Sequence, residues 1–222
     1  MRVLYHFWLS PSSRKVRVVL DEKGLETELE LERFWERREE FLALNPTGEV
    51  PVLCEPDGSV LADSQAIVEY LDEVYPDMPL IGDDAPARAE CRRIVAWFDH
   101  KFYREVTDYL VTEKLLKRFT GTDHPESTLI RAGAANIGYH LDYIDYLVER
   151  RNYLAGDRFS LADIAAAAQV SCVDYLGDVP WDDHPIARDW YARVKSRPSF
   201  RPILGDHVPG LLPPKHYADL DF

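Results

Sequence analysis

Three serine hydroxyls stand close together near the start of the chain, in the stretch Ser10-Pro-Ser-Ser13. The stretch separates the alternating apolar residues of a predicted strand from a predicted helix, so its hydroxyls are placed to cap that helix. A hydroxyl beside a helix N-terminus can also hydrogen-bond a thiol and help to lower the thiol pKa. The stretch contains no cysteine, which disfavours thiol exchange through a mixed disulfide.

A second candidate site is the pair Asp63-Ser64, which directly precedes another predicted helix. The Ser64 hydroxyl and the free backbone amides of a helix N-terminus are suited to binding a carboxylate. The same residues also make an ordinary helix cap, and the two roles are compatible.

The elements that must position these residues alternate between strand and helix periodicity over residues 1–77. The predicted elements are a strand at 3–7, a helix from Arg14, a strand at 26–32, a helix at 37–44, strands at 50–54 and 60–62, and a helix from Ser64. The turn Pro56-Asp57-Gly58 is so short that the two strands it joins should be antiparallel. The order βαβαββα predicts a mixed four-stranded sheet with helices, as in the thioredoxin fold.

Proline, glycine and aspartate are concentrated in residues 78–87, which we interpret as a linker. Residues 88–205 have helical periodicity throughout, with long helices predicted at about 88–118 and 125–150. Ser160 and Asp163 form a variant capping box at the start of a small-residue helix, and a last helix spans about 185–196. Residues 206–222 form a proline-rich tail that is too short for a core of its own.

The composition excludes several classes of protein. The 222 residues carry a net charge of -13, which argues against nucleic acid as a partner because such partners need a basic face. Cys54, Cys91 and Cys172 are widely spaced and odd in number, so the sequence predicts neither a disulfide framework nor a metal site. Neither a signal peptide nor a membrane span is predicted, and we expect a cytoplasmic location.

Four motifs in register resemble the cytosolic glutathione S-transferase family: Ser10-Pro-Ser-Ser-Arg-Lys15, Asn45-Pro-Thr-Gly-Glu-Val-Pro51, Asp63-Ser-Gln-Ala-Ile-Val-Glu-Tyr-Leu71 and Leu154-Ala-Gly-Asp-Arg-Phe-Ser-Leu-Ala-Asp163. The resemblance covers nearly the whole chain. It implies a thioredoxin-like domain at 1–77, a linker at 78–87, an all-helical domain at 88–205 and an extended tail at 206–222. It also implies a homodimer, which is usual in the family.

The resemblance implies that the chain binds glutathione, as a co-substrate or as a ligand. It assigns that binding to Val50, Pro51, Asp63, Ser64 and Arg38. The backbone of Val50, held by a cis proline, would pair with the cysteinyl part, and Ser64 would bind the γ-glutamyl carboxylate. A basic residue from the second-helix region, Arg37 or Arg38, would meet the glycyl carboxylate. The glutamates around both arginines make a solvated charged face an equal alternative.

The resemblance also implies a catalytic role for Ser10, which would donate a hydrogen bond to the glutathione sulfur and stabilise the thiolate. Tyr5 is a rival, because other branches of the family use a strand tyrosine. For Ser12 and Ser13 we prefer helix capping. A pocket for the electrophile would lie between the domains, with Trp8, Trp97 and Tyr103 as candidate contacts, although aromatic residues at helical spacing are more often core.

The tail contains acids beside large apolar residues, in Ala218-Asp-Leu-Asp-Phe222. This tail and the segments 110–118 and 172–181 are similar to a division-associated branch of the family in alphaproteobacteria, which binds the tubulin-like protein FtsZ. The similarity implies that Asp219, Leu220, Asp221 and Phe222 contact this partner. Two hypotheses therefore remain: a protein-binding regulator of cell division with a weak or vestigial glutathione site, which we favour, and an active glutathione transferase.

Overall fold

The computed structural model describes residues 1–121 and 124–220. Strand β1 (Val3–His6), helix α1 (Pro11–Glu22) and strand β2 (Glu28–Leu31) form a parallel βαβ unit. Helix α2 (Glu39–Leu44) leads to β3 (Val52–Cys54) and β4 (Val60–Ala62), and α3 (Ser64–Val74) follows. The sheet order is β2-β1-β3-β4, with β3 antiparallel to both of its neighbours. The predicted mixed four-stranded sheet is therefore confirmed.

The segment before α2 differs from the predicted helix at 37–44. A short 3-10 turn at Phe34–Glu36 precedes α2, and Arg37 between them has a left-handed backbone with φ of 48°. A non-glycine residue in this conformation cannot continue a right-handed helix. The helical turn is thereby broken, and α2 begins only at Glu39.

A long helical rod begins the second half of the fold. It consists of α4 (Ala85–Ala96), a π-helical segment (Trp97–Leu116) and α5 (Lys117–Thr120), where an α-helix at 88–118 is predicted. π-winding takes more residues into each turn than α-winding does. In this segment it aligns residues four or five apart on one face.

The remaining helices enclose the core of the second half. They are α6 (Ser127–Val148), α7 (Leu161–Tyr175), α8 (Pro185–Lys195) and α9 (Arg201–Leu204). Every residue of α7 is buried, and it begins at the predicted capping box of Ser160 and Asp163. The buried Asp163 carboxylate also accepts hydrogen bonds from Leu154 N–H at 3.0 Å and Trp190 Nε1 at 2.9 Å. One carboxylate thus fixes the start of the central helix to two other segments.

A buried ionic cluster ties α1 to the segment that follows α9. Arg17 donates to both carboxylate oxygens of Asp206, at 2.7 and 3.0 Å. Arg14 has a fully buried side chain, and its Nη2 lies 3.7 Å from Asp206 Oδ2. Arg14 also donates to Ser171 Oγ of α7 at 2.8 Å. The helix that starts at the serine stretch is therefore held against the second half of the fold by charge as well as by apolar packing.

Within the described ranges, no helix is both long enough and apolar enough to span a membrane.

Candidate functional site

The serine stretch lies at the mouth of a cleft between the two halves of the fold. The cleft has a volume of about 270 Å³ and is lined from the first half by Phe7, Leu9, Ser10, Pro11, Ser12, Phe34, Glu49 and Val50. The π-helical segment supplies the opposite wall, with Asp99, Tyr103, Thr107, Asp108, Val111, Thr112 and Leu116. Tyr103 is therefore placed where the sequence predicts an electrophile contact.

The three serines have different roles at the start of α1. Ser10 is the N-cap residue, and its Oγ accepts a hydrogen bond from Ser13 N–H at 3.2 Å. Ser13 is buried, and its Oγ accepts from Phe7 N–H at 3.3 Å. The Ser12 hydroxyl makes no hydrogen bond within the described part of the chain. The helix capping predicted for Ser12 and Ser13 is therefore wrong, because Ser10 is the residue whose side chain caps α1. Ser10 therefore combines capping with a hydroxyl proton that can still be donated into the cleft, because a hydroxyl is both donor and acceptor.

A second cleft of about 200 Å³ adjoins the first and shares Ser12, Glu49 and Val50 with it. Its other lining residues are Asn45, Thr47, Pro51, Ala62, Asp63 and Ser64. The Val50-Pro51 peptide bond is cis. The structure thus brings together four of the five residues to which the sequence assigns glutathione binding.

Asp63 directs the start of α3 toward this second cleft. Its backbone has φ of 73°, and its Oδ1 accepts from Gln65 N–H at 2.8 Å and Ala66 N–H at 3.0 Å. The capping carboxylate uses these two amides, and Ser64 lines the cleft immediately beside them. A ligand carboxylate at this position would meet the Ser64 hydroxyl and the helix N-terminus.

The two candidate arginines have different contacts, and only one of them lies beside the second cleft. Arg38 forms an ion pair with the buried carboxylate of Glu32 and lines neither cleft. Arg37 packs its guanidinium on Gly48, where a Cβ atom would lie 3.1 Å from Arg37 Nη1. Gly48 sits between Thr47 and Glu49, which both line the second cleft. Of the two, Arg37 is the arginine beside the predicted glutathione site.

The two candidate tryptophans also lie away from the cleft lining. Trp97 faces α6, where its Nε1 donates to His140 Nδ1 at 3.1 Å and its ring lies 4.4 Å from that of Tyr143. Trp8 is half-buried against the core, and its carbonyl accepts from Arg14 Nε at 2.6 Å. Tyr5, the rival to Ser10, packs its ring against Phe41, 5.8 Å between centroids.

The charge of the first cleft is negative. Glu49, Asp99 and Asp108 line it, whereas no lysine or arginine is among the described lining residues. Lys15 is buried behind the wall and pairs with Asp99. Partial burial, together with the nearby carboxylates of Asp108 and Glu49, raises the pKa of Tyr103. The same negative potential would oppose, rather than assist, ionisation of a thiol at this position.

The tail folds back onto the second half of the molecule. Tyr217 is fully buried and its hydroxyl donates to the Ile203 carbonyl at 3.3 Å. His216 Nε2 lies 3.0 Å from Asp174 Oδ1, which also accepts from Trp181 Nε1 at 2.8 Å. Asp219 is exposed and Leu220 packs against the core. The predicted partner contacts Asp221 and Phe222 lie outside the described residues.

Asp142, Asp145 and His184 form a group with metal-ligand chemistry, each offering one atom within 4.8 Å of the others. Asp145 Oδ1 accepts the Ala187 N–H at 2.6 Å, and its Oδ2 lies 3.4 Å from His184 Nδ1. These bonds place Asp145 as a cap on α8. We therefore assign the group a structural role.

The architecture is that of a known family. The N-terminal-domain model of glutathione S-transferases matches residues 9–74, and the C-terminal-domain model matches residues 125–198. The chain belongs to the glutathione S-transferase family, whose members bind glutathione. The fold predicted from the resemblance is confirmed.

Individual relatives define the branch more closely. The chain is 48% identical to FtsZ-localized protein A of Caulobacter vibrioides, covering 100% of this chain and 98% of that one. The structure of FzlA from C. crescentus superimposes with a TM-score of 0.97 at 47% identity, over 100% and 99% of the two chains. A glutathione S-transferase structure from Rhodospirillum rubrum F11 gives 0.97 at 59% identity, covering both chains fully. The resemblance to the division-associated branch is confirmed.

Sequence reasoning missed most of the polar cleft wall. Glu49 directly precedes the Val50-Pro51 motif, and Asp99, Thr107 and Asp108 lie on the same helix as the predicted Tyr103. For the three residues on the helix, the signal that would have found them is a spacing of four or five residues from Asp99 onward. An α-helical periodicity of 3.6 residues does not select that set.

Proposed function

We propose that this chain is a protein-binding regulator of bacterial cell division that acts on FtsZ filaments from a transferase scaffold. The observation that carries the proposal is the 48% identity with FtsZ-localized protein A, which extends over 100% of this chain and so includes the tail. The proposed partner assembles inside the bacterial cell, so we also place this chain in the cytoplasm. The proposed units are those of the sequence analysis, at 1–77, 78–87, 88–205 and 206–222.

The proposed working form is a homodimer. An aromatic surface on α6 supports it: Tyr139 is 61% exposed and Tyr146 is 53% exposed. Tyr143 stacks on Tyr146 with centroids 6.5 Å apart and touches Trp97 from the π-helical segment. Aromatic residues are enriched in the buried centres of protein interfaces, and a second copy of the chain is the occupant that the family membership favours.

The tail is the proposed FtsZ contact. Its last described turn is anchored by the buried Tyr217, while Asp219 stays exposed beside the partly buried Leu220. An anchored segment loses little conformational entropy on binding, and an acidic group at its rim favours a basic partner patch. Asp221 and Phe222 complete the proposed contact.

A weak glutathione site is part of the proposal. The cis Val50-Pro51 bond, Ser64 and the capped start of α3 fit the peptide and one carboxylate of glutathione. The Asp63 side chain is suited to the ligand ammonium group, and Arg37 is the nearest candidate for the second carboxylate. The carboxylates of Glu49 and Asp63 in the lining reduce the affinity for a ligand with net negative charge.

Active glutathione transfer is the second candidate, favoured by the Ser10 hydroxyl at the N-terminus of α1. This hydroxyl is positioned to donate to a thiolate. The acidic wall of the first cleft counts against it, because Glu49 and Asp108 disfavour a second negative charge beside them. Protein binding therefore remains the principal proposed function.

Co-sedimentation with FtsZ polymers tests the principal proposal. Deleting residues 218–222 removes the proposed contact but keeps Tyr217 and its hydrogen bond to Ile203. We expect the full chain to co-sediment and the deletion variant to bind at least tenfold more weakly. Glu73→Gln/Asp77→Asn, which removes two exposed acids elsewhere, is the matched control and should bind normally. Equal binding by the full chain and the deletion variant would show that the tail is not the contact.

A further inference from the structure

We propose that the 270 Å³ cleft binds small organic cations that carry an aromatic or other apolar group, and that Glu49 and Asp108 determine this preference. The inference goes beyond the proposed function and depends on neither FtsZ nor glutathione binding. It rests on three features of the cleft: two carboxylates that are not paired with a protein cation in the described part of the chain, their position on opposite walls, and the apolar residues of the floor.

The charge balance leaves two uncompensated carboxylates. Of the three acids that line the cleft, Asp99 is paired with Lys15, whose side chain is only 1% exposed. Within the described ranges, no ion pair involves Glu49 or Asp108, and the lining contains no basic side chain. A cation entering the cleft therefore meets two negative charges without having to displace a protein cation.

The two carboxylates come from opposite walls and act on the same place. Glu49 lies in the loop before β3, and Asp108 lies on the π-helical segment. Thr112 Oγ1 donates to Asp108 Oδ1 at 2.9 Å, which holds that carboxylate on the wall. Both charges contribute to raising the pKa of Tyr103. Their fields thus converge around the Tyr103 ring, where a bound cation would be stabilised.

The floor and the rim of the cleft suit an apolar body. Phe7, Leu9 and Val111 are buried lining residues. A cavity of about 150 Å³ is enough to bind benzene, so this cleft has room for one ring and a short arm. Tyr103 also lines the cleft and is 41% exposed, so its ring is available for cation–π attraction to a bound cation. An anion with the same apolar body would gain the same packing but would meet repulsion from Glu49 and Asp108.

Isothermal titration calorimetry with three probes of similar shape tests the inference. The probes are 2-phenylethylamine as the cation, 2-phenylethanol as the neutral form and 3-phenylpropionate as the anion. For the unmodified chain at low salt, we expect the amine to bind about tenfold or more tightly than the propionate, with the alcohol between them. Added salt should weaken amine binding because the two carboxylates are partly exposed.

Substitution of the two acids provides the decisive comparison. Glu49→Gln and Asp108→Asn should each reduce the preference for the amine by about fivefold, as expected for partly exposed charges. The control Glu73→Gln/Asp77→Asn changes the net charge by the same amount as the cleft double variant and should keep the full preference. Glu49→Lys should favour the propionate.

Three results with the unmodified chain or the cleft variant would overturn the inference. They are equal binding of the amine and the propionate by the unmodified chain, a preference for the amine that survives in Glu49→Gln/Asp108→Asn, and no detectable binding of the amine at about 10 mM. A loss of preference in the control variant would count equally against it, because it would assign the effect to overall charge.

Discussion

Replacing Asp206 with asparagine removes the carboxylate that neutralises two buried guanidinium groups. Asp206 is 9% exposed and accepts both hydrogen bonds from Arg17, while Arg14 Nη2 lies 3.7 Å away. Breaking a buried ion pair by removing one partner costs about 3–5 kcal/mol. The asparagine oxygen still accepts one hydrogen bond. Asp206→Asn should therefore lower the free energy of unfolding by about 3 kcal/mol, at the lower end of that range.

Thermal unfolding followed by circular dichroism measures this cost. For a chain of this length, about 3 kcal/mol corresponds to a fall in Tm of roughly 6–12 °C. The control is Asp83→Asn, which breaks the exposed pair with Arg158 and should change the free energy of unfolding by about 1 kcal/mol or less. If Asp206→Asn and Asp83→Asn lowered Tm equally, the argument from buried charge would be refuted.

The remaining predictions concern the pH dependence and the serine cap. Burial lowers the pKa of His6 to about 4. Between pH 4 and about 6.5, His6 therefore binds a proton in the unfolded chain but not in the folded chain. The free energy of unfolding should therefore fall by about 3 kcal/mol as the pH drops through this window. His6→Gln should flatten the dependence of Tm on pH. A plot of Tm against pH as steep for His6→Gln as for the unmodified chain would contradict this. Ser10→Ala removes the side-chain cap of α1 and should cost about 1 kcal/mol, seen as a fall in Tm of roughly 2–4 °C. Ser12→Ala is its matched control and should leave Tm nearly unchanged, and an equal loss in both variants would argue against the capping role.

Much of the fold follows from local patterns in the chain. The alternation of Val3, Tyr5 and Phe7 and the short turn after Cys54 are sufficient to predict β1 and the antiparallel pairing of β3 with β4. The capping box of Ser160 and Asp163 is equally local, because its bonds join residues three apart. These features are set by the sequence itself since the interacting groups are neighbours along it.

Three-dimensional packing decides which role each serine hydroxyl has. Sequence periodicity places Ser10, Ser12 and Ser13 together at a helix start but does not show which hydroxyl faces a cleft. In the structure, Ser13 bonds to Phe7 N–H, and Ser12 lines both clefts. Packing also separates Arg37 from Arg38, because Arg38 forms an ion pair with Glu32 whereas Arg37 lies against Gly48.

The sequence alone determined the order of the main elements, the capping box of Ser160 and Asp163 and the family, since each depends on short-range periodicity or on motifs of a few residues. What only the tertiary structure decided is the charge of the cleft and the anchoring of α1. Lys15 pairs with Asp99, and Arg17 pairs with Asp206, across separations of 84 and 189 residues. Such pairs form because folding brings distant charges into a poorly hydrated interior, where an unpaired charge is costly, and no local pattern records which partner it will meet.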